Sequence, residues 1–267
     1  MPKVNDVFEF LDSFAPVGMK METDNVGFLV GRGQAEVKKT LVSLDITSDV
    51  VSEAVELGAD LIVSHHPLFF SLKSVTDADN TGKKIVRMLS AGISAICMHT
   101  NLDAARGGVN DALAVAAGIA DDSVEAELLT EDRMLETGEV YSYGRFGYLK
   151  SPCSMAEFLE RIKTALQADA LRYHDAGRMV YKIAVVGGSG GDEFENAVKL
   201  DCDTFISADL KYNVFLEAKE LGINLIDGGH FHTENLVVDT VAERLRTAFG
   251  DVEVIVSQRH DAVVKFY

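Results

Sequence analysis

An internal repeat constrains the fold of this chain more than any single motif does. Residues 40–66 align without a gap on residues 204–230, and 12 of the 27 aligned positions are identical. Each copy has an apolar segment, a helical segment that ends at a glycine, and a second apolar segment that ends in a histidine. The alternative is two generic αβ units of equal length, but shared composition alone explains 12 identities poorly. The repeat therefore predicts an α/β protein with two similar β-α-β units, Thr40–His66 and Thr204–His230.

The first repeat carries a buried strand directly into two histidines. Residues 61–64 are an apolar run typical of a central parallel strand, His65 and His66 follow it, and Pro67 ends it. Ligands bind at the carboxyl ends of such strands. Successive strand residues point to opposite sides, so the two imidazoles can face two different ions. A lone strand-end histidine is more often structural, so a metal site requires ligands from other segments.

Other segments also place metal-binding side chain types where predicted strands end. They are Asp45, the pair His99 and Asp103, and the run His230, His232 and Glu234. If a helix begins at His230, Glu234 lies one turn further along the same face. Either Asp103 or Glu234 can bridge two ions through its two oxygens. A set of imidazoles and carboxylates suits zinc, iron, manganese or cobalt.

Composition argues against several classes of partner. With 25 basic and 42 acidic residues the formal charge is −17, which opposes binding to nucleic acid or to an anionic membrane. No apolar run is as long as a membrane span. The three cysteines, Cys97, Cys153 and Cys202, form no Cys-x-x-Cys pair, which fits a reducing cytoplasm and excludes zinc-finger spacing.

The chain resembles the Nif-three-like dinuclear-metal-centre family, whose bacterial members are often labelled GTP cyclohydrolase I type 2 homologues. The matching segments span nearly the whole chain and include Asp24-Asn25-Val26-Gly27, Ser64-His65-His66-Pro67, His99-Thr100-Asn101-Leu102-Asp103, Ser207-Ala208-Asp209-Leu210-Lys211-Tyr212 and Gly229-His230 with Glu234. The resemblance implies two interlaced α/β lobes with a metal site between them. We expect residues 1–125, completed by 228–267, to form the first lobe and 126–227 the second, as one compact unit without a linker. The resemblance also implies a ring-shaped homohexamer.

By position, the ligands of the family fall on five residues that would hold two divalent ions per subunit. These are His65, His66, Asp103, His230 and Glu234. His99, His232 and Asp45 would then be neighbours of the ions. Two positions depart from the family pattern: Thr23 stands where members often have tryptophan, and Asn213 where many have histidine. The second departure removes any catalytic role borrowed from that histidine.

The leading functional hypothesis is a metal-dependent hydrolase that uses a metal-activated water on a small-molecule substrate. His99 and His232 are the candidate proton shuttles, and the family label suggests a reaction like that of GTP cyclohydrolase. The alternative is a metal-binding or metal-delivery protein, or a regulatory scaffold, without turnover. The glycine-rich run 187–191 can cradle phosphate or form a tight turn for close packing. The acidic residues that follow it favour the turn.

Overall fold

The computed structural model describes residues 1–121, 123–131 and 133–267. These residues divide into two compact units, each built on its own sheet with helices. The first unit comprises Met1–Ala105 and Val237–Asp261, and the second comprises Arg106–Leu236 and Ala262–Tyr267. The predicted α/β class is therefore confirmed.

The strands and helices are numbered in chain order. The strands are β1 (Gly27–Val30), β2 (Lys39–Ser43), β3 (Leu61–Ser64), β4 (Ser94–Cys97), β5 (Glu127–Leu128), β6 (Arg133–Met134), β7 (Val140–Tyr141), β8 (Arg145–Cys153), β9 (Arg172–His174), β10 (Val180–Val185), β11 (Thr204–Ser207), β12 (Asn224–Asp227) and β13 (Glu253–Val256). The helices are α1 (Val4–Phe14), α2 (Ser48–Leu57), α3 (Asn80–Ser90), α4 (Thr100–Ala104), α5 (Val109–Ala117), α6 (Met155–Ala165), α7 (Phe194–Lys199), α8 (Tyr212–Leu221), α9 (His230–Glu234) and α10 (Leu236–Ala248). Short 3-10 helices lie at Val17–Met19 and Gly191–Glu193. Within the described parts of the chain, no helix has both the length and the apolar character that a membrane crossing requires.

The sheet of the first unit has the strand order β1-β4-β3-β2-β13. β13, β2, β3 and β4 run parallel, and β1 closes the sheet antiparallel to β4. β3 is buried along its whole length, as its apolar sequence predicts. Because β2, β3 and β4 are parallel neighbours, the residues that follow them emerge at one edge of the sheet. Those residues include Asp45, His65, His66 and His99.

The helix of the first repeat ends at the glycine that its sequence predicts. The Thr47 hydroxyl accepts a hydrogen bond from the Val50 amide at the start of α2. Gly58 ends the helix with a positive φ of 64°. The corresponding Gly222 ends α8 with a φ of 67°.

The second unit contains a six-stranded sheet in the order β5-β8-β10-β11-β12-β9. Its parallel centre is β10, β11 and β12, of which the last two belong to the second repeat. The two repeats differ by one residue in strand register: Thr40 pairs with Leu61, whereas Thr204 pairs with Asn224. β12 therefore ends at Asp227, three residues before His230, whereas β3 ends at Ser64, two residues before the aligned His66.

Candidate metal centre

The histidine cluster of the first unit consists of His65, His66 and His99, which follow the ends of β3 and β4. Its ring centroids are 4.9 Å apart for His65 and His66, 5.2 Å for His65 and His99, and 5.5 Å for His66 and His99. One ligand atom from each of the three residues lies within 4.8 Å of the other two. Imidazoles this close together suit a transition metal ion better than they suit calcium.

His65 is held in one tautomer by the backbone. Its Nδ1 lies 2.9 Å from the carbonyl oxygen of Met98, and its side chain is buried. A carbonyl oxygen only accepts, so Nδ1 carries the proton and Nε2 carries the lone pair of the neutral ring. Nε2 lies 3.6 Å from Oδ1 of Asp103. The nitrogen that can bind a metal therefore faces a carboxylate.

His66 is oriented by Asp45 in the same way. Its Nδ1 donates to Oδ1 of Asp45 at 2.8 Å, and Nε2 of His260 donates to the other oxygen at 2.7 Å. Burial raises the pKa of Asp45, but the hydrogen bonds from His260 and His66 outweigh it. The pKa of Asp45 is therefore held far below its ordinary value. A carboxylate that stays ionised keeps Nδ1 of His66 protonated, which leaves Nε2 for a metal.

His99 forms a dyad with Asp24. Its Nδ1 is 2.9 Å from both oxygens of Asp24, and Oδ2 of Asp24 also accepts from the amide and the hydroxyl of Thr100. Burial raises the pKa of Asp24, but the bonds from His99 and Thr100 outweigh it and hold this pKa far below its ordinary value. The dyad is a histidine with a fixed, ionised carboxylate behind it, as in a general acid–base pair.

Asp103 reaches His65 because a short helix follows His99. In α4, the Asp103 amide bonds to the carbonyl oxygen of His99 at 3.0 Å, which places Asp103 one turn beyond the histidine. From the sequence, we predict only the end of a strand at this segment. A helix of five residues is too short to show a hydrophobic period, so this helix is found only in the structure.

The second unit holds a histidine–glutamate pair on α9. Nε2 of His230 lies 3.1 Å from Oε2 of Glu234, and its Nδ1 donates to Oδ2 of Asp209 at 2.8 Å. The predicted helix start at His230 places the two side chains on one face. The hydrogen bond to Glu234, opposed by burial and assisted by Asp209, raises the pKa of His230 to about 9. A cation that bound His230 would displace this proton.

The internal repeat extends to the hydrogen bonds of the two histidines. Asp45 and Asp209 are aligned positions, as are His66 and His230. In both copies the aspartate that follows the first strand accepts from Nδ1 of the histidine that follows the second strand, at 2.8 Å each time. This geometry assigns both aspartates a role that the sequence left open: they orient a histidine.

The glycine-rich run 187–191 packs against the pair on α9. The amides of Gly187, Gly188 and Gly190 donate to the side chains of Asn110, Thr233 and Ser207. Gly188 has a φ of +63°, and a Cβ there would lie 2.0 Å from Oε1 of Glu234. These donors are used within the fold, which agrees with a packing turn rather than a phosphate cradle.

Asp24 and His260 contribute to this chemistry but lie outside the predicted set, whereas His232 was predicted but lies outside the groups of ligand atoms. Asp24 lies in one of the segments that carry the family resemblance, but the sequence alone indicates no role for it. His260 gave no sequence signal, since it lies 194 positions after His66 in no recognisable motif. His232 lies beside Phe231 with ring centroids 5.5 Å apart. Among the described residues, it joins none of the groups of three whose ligand atoms come together.

Comparisons with known proteins match nearly the whole chain. The sequence model of the Duf34/NIF3 (NGG1p interacting factor 3) family matches residues 2–262. A Clostridium perfringens protein named GTP cyclohydrolase 1 type 2 homolog is 36% identical over 96% of both chains. A Clostridium acetobutylicum protein of the same name is 34% identical over 99% of this chain and 98% of its own.

The fold also has a close match among solved structures. The crystal structure of a Bacillus cereus protein related to NIF3 superimposes with a TM-score of 0.91, at 24% identity, over 100% of this chain and 99% of that one. Family match, curated relatives and fold thus agree with the resemblance seen in the sequence. The chain belongs to the Duf34/NIF3 family.

Proposed function

We propose that this chain binds two divalent transition metal ions and acts as a metal-dependent hydrolase. The proposed ligands are His65, His66, Asp103, His230 and Glu234. The observation that carries the proposal is that Nδ1 of each of the three histidines bonds to a carbonyl or carboxylate oxygen. Protein metal sites use this arrangement to direct Nε2 at the ion and to raise its basicity.

The donor set fits zinc, iron, manganese or cobalt, since it combines imidazoles with carboxylates. When bound, such ions lower the pKa of a water molecule and stabilise negative charge on the substrate. The residues of this chain supply the proton transfer. His99, held by Asp24 at 2.9 Å, is the proposed general base, and Asp24 fixes its ring and its tautomer. His232 is the second candidate for a proton shuttle.

GTP is the first substrate to test, because two clostridial relatives carry the name GTP cyclohydrolase 1 type 2 homolog. In the hydrolysis of the purine ring of GTP, water adds to the ring, which requires a base and a stabilised anion. The dyad of Asp24 and His99 supports the first requirement. We further propose that the chain assembles as a homohexamer, as its family resemblance implies.

The test combines metal analysis with turnover. Protein purified without added metal is analysed for its metal content, then loaded with zinc, manganese, iron or cobalt and assayed with GTP and other nucleotides. We expect two ions per chain and metal-dependent turnover. His99→Gln should lower kcat by about 10²–10⁴-fold with the metal content unchanged, and Asp24→Asn should lower it less. Tight metal binding without turnover on any substrate would favour metal delivery instead.

A further inference from the structure

The last strand of the first unit brings the C-terminal part of the chain to the histidine cluster. β13 pairs in parallel with β2, and the Ser257 amide donates to the carbonyl oxygen of Val42 at 2.8 Å. Because the two strands are parallel, the residues after β13 emerge at the same edge of the sheet as Asp45, which follows β2. We call residues Ser257–His260 the C-terminal clip.

Helix α2 holds the C-terminal clip through two glutamates. The buried carboxylate of Glu53 accepts from the Ser257 hydroxyl and, at 2.9 Å, from the Gln258 amide. One turn further on, Glu56 pairs with the guanidinium of Arg259. The chain direction is thereby fixed up to the residue before His260.

His260 ends the C-terminal clip on the carboxylate that orients a proposed metal ligand. Its Nε2 is 2.7 Å from Oδ2 of Asp45, while Oδ1 of the same carboxylate lies 2.8 Å from Nδ1 of His66. An ionised carboxylate only accepts, so both nitrogens carry protons. Each oxygen of Asp45 therefore has its own donor: Oδ1 accepts from His66 and Oδ2 accepts from His260.

The second repeat lacks this added donor. Asp209 accepts from His230, and among the described residues no second side chain bonds to its carboxylate. Its side chain is 56% exposed, compared with 38% for Asp45. A carboxylate with one donor rotates more freely than a carboxylate held at both oxygens. His260 is thus an additional contact at the first repeat, made by a residue that lies outside the repeat itself.

We propose that His260 is a positioning residue of the metal centre. By holding Asp45 at its second oxygen, it fixes the ring orientation and the tautomer of His66, so that Nε2 of His66 is directed at the ion. This inference rests on the metal binding at His66 proposed above. It adds a residue from the far end of the chain that acts through Asp45 rather than on the ion.

The experiment compares four proteins in their metal-loaded form: wild type, His260→Ala, His260→Gln and His174→Ala. The Kd for zinc is measured by competition with a chromophoric chelator, and the visible spectrum is recorded after cobalt substitution. His260→Ala should weaken zinc binding by about 10–100-fold, the range seen when such orienting partners are lost, and should alter the cobalt spectrum. His260→Gln, which keeps an N–H donor, should regain most of the affinity. His174→Ala is the matched control and should leave both readouts unchanged, because it removes an imidazole of β9 that, among the described residues, joins none of the groups of ligand atoms.

Each outcome separates the two proposals. If wild type binds no metal, the proposed function fails and this inference fails with it. If wild type binds metal and His260→Ala matches His174→Ala in Kd and spectrum, only the role of His260 is overturned. Circular dichroism of the apoproteins checks folding. Should His260→Ala not fold, His260→Asn, whose amide falls short of Asp45, takes its place in the same comparison.

Discussion

At the scale of single residues, the chemistry depends on which nitrogen of each imidazole carries the proton. His65 is set by a carbonyl oxygen, and His66, His99 and His230 are each set by an aspartate. Four separate contacts from different segments thus place a proton on Nδ1. Nε2 is then the atom that would bind metal in His65, His66 and His230, and the atom that would accept a proton in His99. This shared arrangement supports the metal site proposed at His65, His66 and His230.

The raised pKa of His230 makes the apoprotein sensitive to pH. His230 titrates near 6.5 when unfolded and near 9 when folded, so the folded state binds more protons between these values. Its stabilising contribution is complete below pH 6.5 and is lost as the pH rises through 9. We expect the free energy of unfolding of chelator-treated protein, measured with urea, to fall over this range.

His230→Gln keeps a side chain of similar polarity but does not titrate, so its stability should change less over the same range than that of wild type. Asp209→Asn removes one of the contacts that raise this pKa and should give an intermediate result. An equally steep fall in wild type and in His230→Gln would assign the effect to other groups.

At the scale of elements, the β-α-β repeat could be predicted because the residues that indicate it are close together in the sequence. The terminal glycines Gly58 and Gly222 define the same helix ends in the sequence and in the structure. What escaped prediction depends on distant parts of the chain. The contact of His260 with Asp45 spans 215 positions and exists only because β13 pairs with β2. The short helix α4 has too few residues to show a period.

The packing turn at Gly188 gives a prediction at the same scale. Gly188→Ala adds a Cβ at a positive φ and brings it against Glu234, so either the turn or the carboxylate must move. We expect a loss of about 1–3 kcal/mol in the free energy of unfolding and a weaker Kd for zinc. Gly191→Ala is the matched control, since the nearest atom to its Cβ would be 3.5 Å away. A wild-type Kd for Gly188→Ala would show that this turn does not position Glu234.

At the scale of the whole molecule, the net charge of −17 opposes the association of identical subunits. Subunits of one charge repel, and salt screens this repulsion over a Debye length of about 10 Å at 0.1 M. The proposed homohexamer should therefore be more stable at higher salt. We expect light scattering after size exclusion to give six times the chain mass at 0.3 M salt, with dissociation favoured at 0.01 M. The mass of a single chain at every salt concentration would contradict the proposed assembly.

The proposed ligand set draws on both compact units, with His66 from the first and Glu234 from the second. If residues from the two units bind the same ions, removing one ligand already disables the site, and removing the other then costs little more. Zinc binding energies of His66→Ala, Glu234→Ala and the double variant should accordingly be non-additive by about 0.5–3 kcal/mol. The control cycle pairs His66→Ala with Glu160→Ala, an exposed glutamate of α6, and should be additive. Additive effects in both cycles would mean that each unit binds metal on its own, and the five ligands would then describe two separate sites rather than a single dinuclear centre.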